Sequence, residues 1–391
     1  MTEKGFGSHP IALPTSLRES RTYPMARVVI IGAGIVGLSV ARAALQRGHQ
    51  VHLLEQSEVP NPHSASYDQH RMIRYHYGAA VGYTRMVTPA FEAWSRVWDD
   101  IGSEQFEDTG AIAISLEAGD YAAQTLAAFR ELGVPHEVLD RAGVERLCPH
   151  LQLPDGAWGV VAFPGGPLFA GRIVTELARW VAEHGAVVEG GCRIARVDQE
   201  RGVAIRADGS TVEGDILVVA AGAWLPALMP ERYGDASTWR QGLCYVEPPA
   251  HFAQPWRDAP AIVTLGDHAG YTLPDRRGAG LKFGHGPHRR RARPEIDGFG
   301  SDLAAEGEAI LAPFRPYLRD AAEYRPTRIQ VGYYVLDASR RFRLDTAGRG
   351  LVVTHCDGQM FKFGPLLGER IIAMFDGAES ASDLARWAAG Y

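Results

Sequence analysis

The sequence predicts an α/β chain in which a parallel-stranded domain carries an inserted α+β domain built on an antiparallel sheet. Three observations lead there. Residues 27–55 read as strand, glycine-rich turn, helix and strand. Residues 215–222 and 351–354 are further apolar runs suited to strands buried on both faces. Between about Pro226 and Arg325 the texture changes to many prolines and short strand-like runs.

Val28-Val29-Ile30-Ile31 is the β-branched run that a buried parallel strand needs. Gly32-Ala33-Gly34-Ile35-Val36-Gly37 follows at once, then a helical pattern from Ile35 to Arg47, with Gly48 as the C-cap glycine. A second strand, Val51 to Leu54, ends on Glu55, 18 residues beyond Gly37. Gly32 permits the tight turn and Gly34 lets backbone approach a pyrophosphate. Gly37 lets helix pack on strand, and the helix N-terminus holds the anion. Glu55 can accept hydrogen bonds from a ribose 2′-OH, which argues against a 2′-phosphate. This is a Rossmann-like dinucleotide fingerprint, and alone it serves NAD or FAD.

At 391 residues the chain has room for two domains and a large core. Its net charge of -6 gives no reason to expect nucleic acid or an anionic membrane as partner. No apolar run reaches transmembrane length and no signal peptide opens the chain, so a cytoplasmic location is expected. Cys148, Cys192, Cys244 and Cys356 lack metal or disulfide-framework spacing and read as free thiols. Residues 1–24, polar and holding Pro10, Pro14 and Pro24, read as a flexible extension, with Met25 as a natural start.

Residues 60–82 read as an irregular functional loop with Arg71, Arg74, three tyrosines and three histidines. Thr88-Pro89 reads as the N-cap and first position of a helix whose stripe is Phe91, Trp94, Val97, Trp98 and Ile101. A strand is expected at 111–116, a helix from Asp120 to Gly133, and an amphipathic helix over 171–185. Short strands follow at 186–188, 193–197 and 203–207, with Asp208-Gly209 as a hairpin turn. The run at 215–222 belongs in the sheet of the first strand. Strand-like runs at 243–246, 261–265, 271–273 and 281–283, and a helix around 303–311, make the inserted domain; a helix at 365–375 closes the first one. The division is therefore residues 25–82, 145–225 and 326–391 for the dinucleotide domain, and 83–144 and 226–325 for the substrate domain.

At Gly222-Ala223-Trp224 a pattern is complete: an N-terminal GxGxxG, a mid-chain DILVVAAGAW strand and a C-terminal strand–loop–helix. It resembles the FAD-dependent glycine/D-amino-acid oxidase (DAO) superfamily. Arg71-Met72-Ile73-Arg74-Tyr75-His76-Tyr77-Gly78, Gly280-Leu281-Lys282-Phe283-Gly284 and Phe361-Lys362-Phe363 make it similar to the monomeric sarcosine oxidase branch. The resemblance covers residues 26–376 and implies FAD rather than NAD, with the flavin ring between the two domains. It implies that Gly32, Ala33, Gly34, Ile35, Val36, Gly37, Glu55 and Gln56 hold the ADP half. Ile194 stands at the adenine, and Ala220, Ala221, Gly222 and Trp224 where a strand end meets the cofactor. Gly358, Gln359, Met360, Phe361 and Lys362 precede the last helix, whose N-terminus can stabilise negative charge on the flavin.

The same resemblance implies roles in chemistry. Arg74 and Lys362 match the pair that grips a substrate carboxylate, the guanidinium suiting a bidentate grip. Arg71 is expected near the flavin. Lys282 matches the lysine that assists the reaction with oxygen, where a fixed cation favours anionic reduced oxygen. Tyr271 matches an active-site tyrosine, with packing in a half-buried strand as the other reading.

The departures are as informative. Gly332 stands where the branch tethers FAD to a cysteine, so non-covalent FAD is expected, with Cys356 structural. Tyr67 replaces a histidine and Asp68 a glycine. His285-Gly286 replaces an aromatic–histidine pair, and Gln359-Met360 a histidine–glycine pair. A pocket wider or differently polar than one for sarcosine follows. The basic run His288-Arg289-Arg290-Arg291-Ala292-Arg293 reads as a solvated loop.

The expected activity is oxidation of the C–N bond of a small amine or amino acid, foremost a secondary amine or N-methyl amino acid, to an imine, with O2 reduced to H2O2. A monomer or weak homo-oligomer is expected. Two other readings stay open: a dehydrogenase passing electrons to a quinone or carrier protein, and a flavin-binding module without turnover. A role in modifying an amine within a macromolecule has little support in the ordinary charge balance.

Overall fold

A computed structural model describes residues 24–265 and 269–391, so the expected extension lies almost wholly outside the described residues. The strand Arg27–Ile31 lies between Gln50–Leu54 and Ile216–Val219, parallel to both. Val187–Glu189 extends this sheet on one side. Gly350–Thr354, parallel, and Arg343–Ala347, antiparallel, extend it on the other, for six strands among the described residues. The chain leaves the first strand for one neighbour and returns much later on the other side. A crevice therefore opens at the carboxyl ends of these strands, where such sheets bind ligands.

Both faces of the centre of this sheet are buried, which is why residues 28–31, 216–219 and 351–353 read as unbroken apolar runs. Val28 and Ile30 pack in a cluster with the helices Ile35–Gln46, Ala170–Glu183 and Gly364–Phe375. Val29 and Ile31 point the other way, against Ile194, Ala204 and Val212 of a three-stranded antiparallel sheet. The helix Gly364–Phe375 lies directly on Ile35–Gln46: a Cβ on Gly368 would sit 2.5 Å from the Ser39 backbone.

A second sheet, of nine strands among the described residues, is mostly antiparallel and carries the long pair Thr238–Glu247 and Arg325–Val335 at one end. The helix Leu303–Leu311 covers one face, where Trp256, Phe283 and Phe314 form an aromatic core. Lys282 and Tyr271 stand on adjacent strands of this sheet, Leu281–His285 and Gly270–Leu273.

Two expectations fail, for identifiable reasons. The helix placed at Thr88-Pro89 spans Val81–Ile101, with Pro89 inside it. Tyr83, Met86, Val87 and Ala90 continue the buried stripe backwards at helical spacing, and that burial outweighs the proline's local cost. Thr88 is no cap; its hydroxyl meets the Tyr75 hydroxyl at 3.1 Å. Residues 60–82 are also not wholly irregular, because Arg71–Ile73 pairs with Gly166–Leu168. That short ladder holds Arg71 and Arg74 on either side of Met72 and Ile73, both buried.

Candidate active site

A cavity of about 900 Å³ runs from the carboxyl ends of the parallel strands to the face of the antiparallel sheet. At one end is the glycine turn. Gly32 has φ +102°, and a Cβ there would lie 2.5 Å from the Ala220 carbonyl oxygen, so only glycine fits. Gly37 is required by close approach, since its Cβ would meet the Gly32 carbonyl oxygen at 1.8 Å. The Glu55 carboxylate accepts hydrogen bonds from Ala33 N at 2.8 Å and Asn61 Nδ2 at 3.0 Å, and still borders the cavity. The helix that starts at Ile35 has no acidic residue in its first turn, so its positive end is open to an anion.

Gly32, Gly34, Ile35, Val36, Glu55 and Gln56 line this end, as do Ile194, Ala220, Ala221, Gly222 and Trp224. Ala33 and Gly37 lie behind the wall, the first bonded to Glu55 and the second packed on Gly32. Sequence reasoning misses Asn61 and Ser66. Ser66 Oγ accepts from Ile35 N at 2.9 Å, so the loop after Glu55 buttresses the turn. No spacing rule points to such a residue, because the loop that carries it is irregular.

At the far end the cavity meets Arg71, Arg74, Tyr271, Lys282 and the loop Gly358 to Lys362. That loop leaves the last parallel strand through His355, Asp357 and Gly358 at φ +53°, +43° and +62°, conformations that non-glycine residues adopt at a cost. It is pinned by Trp94, whose Nε1 donates to the Lys362 carbonyl oxygen at 2.8 Å. Lys362 itself is 6% exposed and lies 5.2 Å from the centroid of the Tyr77 ring. Arg74 lies over the same ring at 4.5 Å, with its Nη1 buried and unpartnered among the described residues.

The charge balance here is uneven. Asp357, the carboxylate nearest Lys362 in its electrostatic surroundings, is already held by both Nε and Nη2 of Arg340 at 3.0 and 2.9 Å. Burial, and then the Arg74 charge, push the Lys362 ammonium well below its ordinary value. Among the described residues neither cation has a carboxylate partner, an arrangement that could accommodate an anion.

Lys282 is fully buried and makes a different arrangement. Its Nζ donates to Asp68 Oδ2 at 3.0 Å and to the His70 carbonyl oxygen. Burial lowers its pKa to about 8, with Asp68 opposing that fall. Tyr271 sits beside it, its ring packed over Gly284, where a Cβ would be 2.3 Å from the ring.

Several departures noted in the sequence land where substrate discrimination would occur. Gln359, Met360 and Gly286 line the cavity, whereas Tyr67 and His285 do not. Gly332 lines it, and a Cβ added there would meet no atom within 4 Å; Cys356 lines it too. Burial pushes the Cys356 thiol up to about 11, which leaves it protonated and a weak nucleophile. The basic run is not simply solvated: Arg289 borders the cavity, Arg290 pairs with Asp297 at 3.0 Å, and His288 meets Glu306 at 3.3 Å. Tyr77, inside the stretch Arg71 to Gly78 but given no role there, and Tyr121, in no motif, are also wall residues. Tyr121 donates to the His76 carbonyl oxygen at 2.7 Å and comes from the helix Tyr121–Leu132, far from Arg74 in sequence.

The residues present fit FAD. A glycine cradle and helix N-terminus suit the pyrophosphate, and Glu55 suits the ribose. The continuous cavity then leads to half-buried Arg74 and buried Lys362, neither with a carboxylate partner among the described residues. No helix among the described residues is long and apolar enough to cross a membrane.

Comparison with known proteins agrees with this geometry. Peroxisomal sarcosine oxidase of Homo sapiens is 25% identical over 364 residues, covering 87% of this chain and 90% of that protein. A modified fructosyl peptide oxidase from Aspergillus nidulans superposes with a TM-score of 0.78 at 15% identity, covering 93% of each chain. L-proline dehydrogenase from P. horikoshii superposes at 0.77 with 17% identity, covering 93% of this chain and 96% of that one. The family model described as DAO, FAD dependent oxidoreductase, matches residues 27–374, and the chain belongs to that family.

Proposed function

We propose that this FAD-dependent oxidoreductase oxidises the C–N bond of a small amine or amino acid, foremost a secondary amine or N-methyl amino acid, to an imine. Water then hydrolyses the imine, and O2 is reduced to H2O2. The observation that carries the reading is the pair of cations, half-buried Arg74 and buried Lys362, facing the cavity with no carboxylate partner among the described residues. The relative named a sarcosine oxidase supports the substrate class.

FAD, when bound, accepts the hydride and passes the electrons on. The residues do the positioning. Arg74 and Lys362 hold the substrate carboxylate, which orients the amine carbon in a wall of Tyr77, Tyr121 and Tyr271. Tyr271 stays neutral, burial raising its hydroxyl to about 12. Lys282 presents a cation to the oxygen step, and Arg71 adds a second beside it. The helix Gly364–Phe375, which one more helix, Ala381–Ala388, follows, turns its N-terminus towards the loop that carries Lys362.

The attachment is read as non-covalent. Gly332 offers no thiol where a tether is expected, and burial holds both thiols that line the cavity, Cys192 and Cys356, in the protonated form. Two domains are read around the two sheets, with the segments given above. Sheet membership of residues 158–162 and 325–335 argues for moving those two strands to the substrate domain.

The rival is a dehydrogenase, since a protein named as one shares the fold. The cation at Lys282 favours oxygen. Stopped-flow mixing of substrate-reduced enzyme with air separates the two. Reoxidation well above the rate of free flavin, slowed by Lys282→Met, supports the oxidase; reoxidation at the free-flavin rate refutes it.

A further inference from the structure

Asp68 is a full carboxylate at 4% exposure, paired with Lys282 but outside the cavity wall that Lys282 lines. It is one of the positions where this chain departs from its branch, and the reaction as described does not use it. Four donors converge on it: Lys282 Nζ at 3.0 Å, Tyr245 Oη at 2.5 Å, Arg71 Nη1 and the Gln69 backbone N at 2.8 Å. They come from three separate elements, the strands Leu281–His285, Thr238–Glu247 and Arg71–Ile73, and from the loop itself. A carboxylate that ties three elements together at full burial is expensive to keep unless its charge is needed.

The surrounding charges show where it is needed. Arg71 from its strand and Arg328 from the strand Arg325–Val335 both push against the Lys282 charge, Arg328 lying over the Tyr245 ring at 4.0 Å. His70, stacked near Tyr245, is held neutral, its pKa well below the ordinary value first by burial and then by Lys282. Tyr245 is kept protonated by burial and by Asp68, and so donates rather than competes. Asp68 is thus the carboxylate paired with two cations, Lys282 and Arg71, and without it burial and the charges of Arg71 and Arg328 would all favour a neutral amine at Lys282.

We propose that Asp68 is the positioning residue for Lys282, fixing the ammonium at the cavity wall and keeping it charged for the oxygen step. The proposal rests on the oxidase reading above. A carboxylate here is not placed to bind substrate, since Lys282 and Arg71 line the cavity and Asp68 does not. On this proposal its effect on the oxygen step runs through the lysine, and that gives a test.

Asp68→Asn is made in the wild-type and Lys282→Met backgrounds. In the apoprotein, pulse acetylation with acetic anhydride across pH, read on the Lys282 peptide by mass spectrometry, gives the lysine's titration midpoint. Removing an opposite charge at this distance lowers that midpoint by about 1–3 pH units. An unchanged midpoint overturns the proposal. In the holoenzyme, Asp68→Asn slows reoxidation by oxygen in the wild-type background and leaves it unchanged in Lys282→Met. Equal slowing in both backgrounds shows a general structural role and overturns it as well. Should Asp68→Asn fail to fold, Asp68→Glu keeps the charge but displaces it. It slows reoxidation only where Lys282 is present, and equal effects in both backgrounds again refute the idea. Wild-type reoxidation at the free-flavin rate sinks the oxidase reading, while the acetylation midpoint still decides the coupling of Asp68 to Lys282.

Discussion

Removing the Lys362 charge should weaken the grip on a carboxylate and at the same time stabilise the protein without ligand. The ammonium is 6% exposed, with its nearest carboxylate already committed to Arg340. Lys362→Met keeps the length of the side chain and leaves the Trp94 bond to the backbone carbonyl untouched. A hydrogen bond to a charged group contributes about 1.5–3 kcal/mol, so propionate should bind the holoenzyme roughly 10- to 140-fold more weakly, read from the flavin absorbance. Arg74→Gln should cost a similar factor. Stability moves the other way. The folded-state pKa of Lys362 lies well below its unfolded value of 10.5, so its destabilising contribution is full below the folded pKa and disappears as pH rises towards 10.5. Apo Lys362→Met should therefore melt above wild type at neutral pH, with the gap closing in alkali. A variant that binds propionate like wild type and melts no higher would refute the reasoning.

Binding of propionate should also draw a proton from solution at mildly alkaline pH, because an anion beside Lys362 restores its charge; calorimetry in buffers of different ionisation enthalpy measures this. Gly34→Val should yield colourless protein that melts cooperatively. The backbone at Gly34 is not strained, with φ −74°, but the added methyls project into the cavity beside Ser66. Reoxidation by oxygen should fall as pH rises through about 8, the value at which Lys282 loses its proton, and the fall should be absent in Lys282→Met. Acid precipitation should release all the FAD into the supernatant, from wild type and from Cys356→Ser alike. A yellow wild-type pellet that turns white in the variant would make Cys356 a tether.

The parallel sheet is legible in the sequence because its strands are buried on both faces and its turn needs particular glycines. Val28 to Gly37 can hardly be read another way, since a Cβ at Gly32 or Gly37 would strike backbone. The helix start at Val81 is hidden because a local signal, Thr88-Pro89, competes with the buried stripe of Tyr83, Met86, Val87 and Ala90. In the site, the residues with a place in a motif are legible: Arg74, Lys282 and Lys362 all reach the cavity. Those that come together only through tertiary folding are not. Tyr121 reaches the wall from a helix, and Arg340 occupies Asp357 from the turn after a long strand. Asp68 is visible as an odd residue, but its meaning depends on Lys282, 214 positions away, and on Tyr245, 177 away.

The central claim is that a carboxylate-bearing amine is held by Arg74 and Lys362 while its C–N bond is oxidised. Anaerobic mixing of the holoenzyme with N-methyl, D-, L- and cyclic amino acids, each paired with its decarboxylated amine, tests it directly through bleaching of the flavin. The account predicts bleaching by at least one of the acids and, at the same concentration, little or none by its decarboxylated partner. Equal bleaching by both members of the pair, or none by any amine, would contradict it.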